Sequence, residues 1–135
     1  MMREILFRGK RLDNGEWVYG FYCHVPHGRL DRDEHLIQTV MKSGKMGMLH
    51  CVDPSTVGQY TGLMDKNGER IFEGDVLTVD GEDGFFVLEF QEDTARFVMF
   101  GDSVVVDFDN FWSYEVEVMG NIHDNPEYLE EGEEE

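Results

Sequence analysis

Apolar and polar residues alternate along most of this chain, and the alternation breaks repeatedly on Gly, Asn, Asp and Pro. The clearest run is Trp17 to Val25, where Trp17, Tyr19, Phe21, Cys23 and Val25 interleave with Val18, Gly20, Tyr22 and His24. Period-two spacing gathers the odd positions on one side of a strand. That side, with its three aromatics and one thiol, reads as the core side. A short strand over residues 3 to 8 precedes it, with Ile5 and Phe7 on one face. Leu36 to Met41 and Met46 to Val52 read as two more strands, separated by the turn Ser43-Gly44-Lys45. Residues 29 to 35, RLDRDEH, read as a charged loop.

The second half continues in the same way. Val76 to Val79, Phe85 to Phe90, Arg96 to Phe100, Val104 to Phe108 and Glu115 to Val118 are each strand-like. Phe85 to Phe90 is apolar on both faces, which suits a central strand. Asn14-Gly15 and Asn67-Gly68 are hairpin signals of the kind in which both central residues take positive φ. Asn125-Pro126 opens a short final helix, since Asn caps and Pro suits the first helical position. The expectation is a mainly β protein with a short C-terminal helix. The boundaries are a β-hairpin region over 1–56, a β domain over 57–123, and the helix with an acidic tail over 124–135.

Composition narrows the function. The chain has 135 residues, 41% hydrophobic, enough for a core in one domain or two small ones. No apolar run approaches the roughly 20 residues of a membrane span, and MMREILFRGK lacks the apolar region of a signal peptide. A cytoplasmic location is the expectation. The net charge is −18, from 29 acidic and 11 basic residues, and seven of the acids lie from Asp124 onward. Without that segment the remainder still carries −11. Such a chain repels phosphate backbones, so direct nucleic-acid binding is disfavoured and basic protein surfaces are favoured.

Candidate chemistry is sparse. Cys23-His24 and His50-Cys51 are the residue types that hold zinc, but adjacent strand residues point to opposite faces. Each pair offers one ligand at most, and the sequence leaves open whether the four come together. Asp107 and Asp109, or Asp31, Asp33 and Glu34, are carboxylate groups of the kind that bind Mg²⁺ or do acid–base work. In a chain with 29 acids, close pairs also arise by chance. No phosphate loop and no GxSxG elbow is present. No catalytic residue, metal ligand or cofactor is assigned.

The stretch Thr56 to Leu77, TVGQYTGLMDKNGERIFEGDVL, resembles the YopX-like family of phage and prophage proteins. The matching residues are Thr56 to Leu63, Asp65-Lys66-Asn67-Gly68 and Glu73-Gly74-Asp75-Val76. Arg3 to Lys10, Gly15 to Gly20 and Gly120 to Glu127 are similar to that family as well. The resemblance implies an SH3-like small barrel over 57–123 and a place in a bacterial host cell. The family has no established activity to carry over. An accessory protein working through protein contacts or self-association follows, with Tyr60, Phe111, Trp112 and Tyr114 as the candidate binding aromatics, by analogy with SH3-like surfaces. The alternatives are an acidic DNA mimic that inhibits a host nucleic-acid-binding protein, and a metal-dependent hydrolase.

Overall fold

The computed structural model describes residues 4–101 and 104–129, with the side chains of Asn110 and Phe111 left aside. It is built of antiparallel β-sheet and divides into two compact units, Met1–Tyr60 and Thr61–Glu135.

The first unit holds β1 (Phe7–Lys10), β2 (Trp17–Val25), β3 (Glu34–Val40) and β4 (Met46–Cys51), and the start of β5 (Gly58–Met64). The strands lie in the order β4-β3-β2-β1-β5. A bridge between Arg11 and Val52 joins the end of β4 back to β1, and Leu12 N–H donates to the Cys51 carbonyl at 3.0 Å. The sheet therefore curls on itself. Its inner side is built from Gly9, Gly20, Ile37 and Val52, with Ile37 and Val52 at 0% and 1% exposure. The interior is narrow. A Cβ on Gly9 would sit 3.2 Å from Ile37 Cδ1 and from Val52 Cβ. A glycine in a strand often marks such a close approach.

The narrowness corrects one expectation. Trp17, Tyr19, Phe21 and Cys23 do share a face, but it is the outer one. Phe21 is half exposed, and Cys23 is an exposed free thiol. Trp17, Tyr19 and Phe21 do not fit where β2 passes against the β3 backbone at Gly20, so Val18, Gly20 and Tyr22 turn inward.

The second unit continues β5 into β6 (Arg70–Phe72), then β7 (Asp75–Val79), β8 (Phe86–Gln91), β9 (Arg96–Gly101), β10 (Val104–Asp107), a helical turn at Asn110–Ser113 and β11 (Val116–Asn121). The sheet order is β10-β9-β8-β7-β11, with β8 in the middle, as its two-sided apolar pattern requires. Ile71, Leu77, Leu88, Met99 and Val116 form a core in which each is at most 1% exposed. Burying such side chains stabilises by about 1.5–3 kcal/mol apiece. The final helical element is a single 3-10 turn, Pro126–Leu129.

The hairpin turns differ from the two-residue type expected. Gly15 and Gly68 take positive φ, +74° and +82°, but Asn14 and Asn67 do not. Gly68 N–H donates to the Asp65 carbonyl and Asp65 N–H to the Glu69 carbonyl. This is a three-residue loop, in which the last position alone needs the left-handed conformation. Its geometry is imposed by the Asp65 side chain. Oδ1 accepts from Asn67 N–H at 2.8 Å and Glu69 N–H at 2.9 Å, while Oδ2 accepts from Val118 N–H in β11 at 2.9 Å.

Charge is divided as unevenly as the fold. Met1–Tyr60 contains eight basic and seven acidic residues; Thr61–Glu135 contains three basic and 22 acidic ones.

Candidate functional site

Strand pairing fixes what stands on the outer face of the first unit. Directly opposed residues share a face, so Lys10 joins Trp17, Arg8 joins Tyr19, and Phe21 lies in one row with Gln38 and Leu49. The next row is Cys23, Leu36 and Cys51. Phe21 is 50% and Leu49 57% exposed, and Tyr19, Val40 and Met46 are exposed to a similar degree. At one end the Arg8 guanidinium lies 4.7 Å from the centroid of the Trp17 ring and the Lys10 ammonium 5.5 Å from it. Such cation–π contacts hold the indole against the sheet. Scattered apolar residues are ordinary at a surface, but a contiguous patch marks a contact site.

A cleft of about 920 Å³ lies beside this face, lined by Leu12, Arg29, Arg32, His35, Cys51 and Val52 among others. Its lip is the turn Arg29–Asp31, where Leu30 and Asp31 both take positive φ, 58° and 56°. Glu34 holds that turn. Its carboxylate accepts from Arg29 N–H at 3.1 Å and from Arg29 Nε at 3.0 Å. The backbone N–H first, and then the guanidinium, hold the Glu34 carboxyl below the ordinary carboxylate range. A lowered folded value contributes stability above the unfolded value of about 4.3, lost as pH falls through the folded one. Carbon-detected NMR titration is expected to find Glu34 titrating below the ordinary range. Arg29→Ala should return it part of the way, since the backbone donor remains.

The four Cys and His residues stay apart. Cys23 and Cys51 share the outer face with Leu36 between them, two strand spacings or about 10 Å apart, outside disulfide reach. His24 and His50 point to the other side. His24 stacks on His35 at 4.3 Å, and His35 Nδ1 meets the Tyr22 hydroxyl at 2.7 Å. Burial pushes the Tyr22 phenol up from its ordinary value. Among the described residues no three His, Cys, Asp or Glu side chains gather closely enough to hold a metal ion. Asp107 forms an exposed ion pair with Arg96 at 3.2 Å.

Of the candidate binding aromatics, Tyr60 is buried in the first unit. Trp112 packs against the core of the second, and Tyr114 is 75% exposed there. The side chain of Phe111 lies outside the described residues. Sequence reasoning missed the role of Asp65, whose position before an Asn-Gly pair reads as a plain turn residue. It also placed the Trp17–Phe21 face inside. The available signal was Gly9 and Gly20, which mark close backbone approach within strands.

Two antiparallel sheets, one with an exposed aromatic face and one in a strongly acidic unit, define a mainly β protein. The family model described as "YopX protein" matches residues 6–130. The chain belongs to the YopX family. Among solved structures it is similar to the crystal structure of protein EF1440 from Enterococcus faecalis. The identity is 21%, the TM-score 0.59, and the match covers 95% of this chain and 99% of that one. At that identity the likeness is one of fold. No curated protein matches the chain significantly. No helix among the described residues is long and apolar enough to cross a membrane.

Proposed function

We propose that this YopX-family chain is a phage or prophage accessory protein that acts through protein contacts. The observation that carries the reading is the outer face of the first unit, where Tyr19, Phe21, Val40, Met46 and Leu49 expose apolar surface together. Side chains of this kind leave water when a partner covers them, and large aromatic anchors dominate such interfaces. Residues 57–123, most of them in the second unit, are read as the SH3-like barrel of the family. What supports this is β11, which returns to pair with β7 and does not extend the sheet beyond β10. There Tyr114, and Trp112 beside it, are offered as a second contact point.

A second reading is favoured by the charge division. With 22 acids against three bases, the second unit is the part that attracts a basic, nucleic-acid-binding surface.

One capture experiment from bacterial lysate tests both. Contacts through the apolar face are expected to survive raised salt and to vanish in the double variant Phe21→Glu, Leu49→Glu. Contacts through the acidic unit are expected to vanish with salt, because exposed charges are screened over about 8–10 Å, and to ignore that variant. Recovery of no partner, together with strictly monomeric behaviour, overturns the contact reading.

A further inference from the structure

We propose that the outer edge of β10, Val104–Asp107, takes up an extended, basic segment of a partner protein as one further strand of the second unit's sheet. The inference rests on the second reading above and names the form of the partner. The register decides which groups are on offer. Phe108 N–H donates to the Phe97 carbonyl at 3.1 Å, and β10 runs antiparallel to β9 with Val106 opposite Met99 and Val105 opposite Phe100. Hydrogen-bonded pairs alternate with non-bonded ones in such a ladder. Val106 and Phe108 therefore turn their main-chain groups to β9, and Val105 and Asp107 turn theirs outward. β10 ends the sheet, and among the described residues no main-chain group bonds to those of Val105 or Asp107.

The opposite edge of the same sheet is closed. On β11 the Val116 carbonyl accepts from Lys66 N–H at 3.1 Å, and Val118 N–H donates to Asp65 Oδ2 at 2.9 Å. One turn thus blocks that edge. β10 carries no proline, lysine or bulge, the usual means of blunting an edge. Outward N–H and C=O groups at every second residue are matched by another extended main chain. Apolar side chains flank them on both faces. Val104 and Val105, on opposite faces, are each 49% exposed, and Phe100 beside Val105 is 46% exposed. An added strand covers all three.

Charge fixes the composition of that strand. The second unit has 22 acids and three bases. Residues 86–109, which form β8, β9, β10 and their turns, hold six acids and one base, Arg96. Arg96 is paired with Asp107 at 3.2 Å, while Glu89 stands exposed in the same cross-strand row as Val98 and Asp107. Lys or Arg on the added strand offsets this excess of acid. A second copy of β10 brings the same excess with it and is disfavoured.

Amide hydrogen exchange of the full chain, read by NMR, tests the proposal with a short probe peptide of alternating Lys and Val at about 1 mM. In the chain alone the Val105 and Asp107 amides should exchange freely while those of Val106 and Phe108 are protected. The Lys–Val peptide should slow Val105 and Asp107 by about tenfold, and a Glu–Val peptide should not. Val105→Pro removes an outward N–H and no ladder bond. It should weaken the Lys–Val peptide about tenfold, read at Asp107. The wild-type exchange pattern stands however well that variant folds. No slowing by the Lys–Val peptide overturns the proposal, and equal slowing by the Glu–Val peptide overturns the basic partner. A wild-type dimer that Val105→Pro abolishes makes a second copy the occupant and overturns it as well. If salt-sensitive capture from lysate persists in Val105→Pro, the edge is ruled out and the acidic-unit reading stands.

Discussion

Asp65→Ala is expected to cost the second unit about 3–5 kcal/mol, because three backbone donors lose one acceptor at once. Asp65 is 6% exposed, and its two oxygens serve Asn67, Glu69 and Val118 at 2.8–2.9 Å. Alanine leaves the Val118 N–H without its acceptor in half-buried β11 and unties the Asn67 and Glu69 N–H groups of the exposed turn. Each bond to an ionised carboxylate is stronger than a neutral one. Asp65→Asn should cost less, about 1–2 kcal/mol, since one oxygen survives for the turn while the amide opposes Val118 N–H. The two tryptophans make the measurement clean. Trp112 packs on the core of the second unit, and Trp17 belongs to the first. In urea unfolding, Asp65→Ala should lower the midpoint reported by Trp112 in a Trp17→Phe background. An unchanged midpoint would show that the turn does not depend on this carboxylate.

Gly20→Ala is expected to destabilise the first unit by about 3 kcal/mol or more, through overpacking against backbone. A Cβ at this position would collide with the Gln38 carbonyl oxygen, and would lie 2.7 Å from the Gln38 carbonyl carbon and 3.1 Å from Thr39 Cα. None of these atoms belongs to a flexible side chain, so β3 itself must move away from β2. Because β3 carries Ile37 on the inner side and lies beside β4, the displacement opens the curl. The Trp17 signal should report the loss in a Trp112→Phe background. Substitution at Gly15, where a Cβ meets nothing within 4 Å, should cost only the strain of its +74° φ. Equal effects at the two glycines would contradict the close approach.

Strand identity was legible because period-two alternation needs no tertiary knowledge. The run from Trp17 to Val25 is a strand, and Phe85 to Phe90 sits in the middle of its sheet as its two-sided apolar character requires. The choice of inner face was not legible. Both sides of β2 carry apolar residues, and the outcome depends on how tightly the sheet curls. That curvature is set by the Arg11–Val52 bridge, 41 residues apart in the chain, and by the glycines inside it. The Asn-Gly pairs located the turns but not their type, since the loop conformation depends on where the Asp65 side chain finds its donors. The outer face of the first unit was visible as a list of aromatics and invisible as a surface for the same reason.

The bond from Val118 to Asp65 spans 53 residues. During synthesis at about 5–20 residues per second, the carboxylate therefore waits roughly 3–10 s for its last donor to be made. Until then the nascent chain holds a hairpin whose acid faces water where β11 will lie. The second unit reaches its finished state only after β11 has been made.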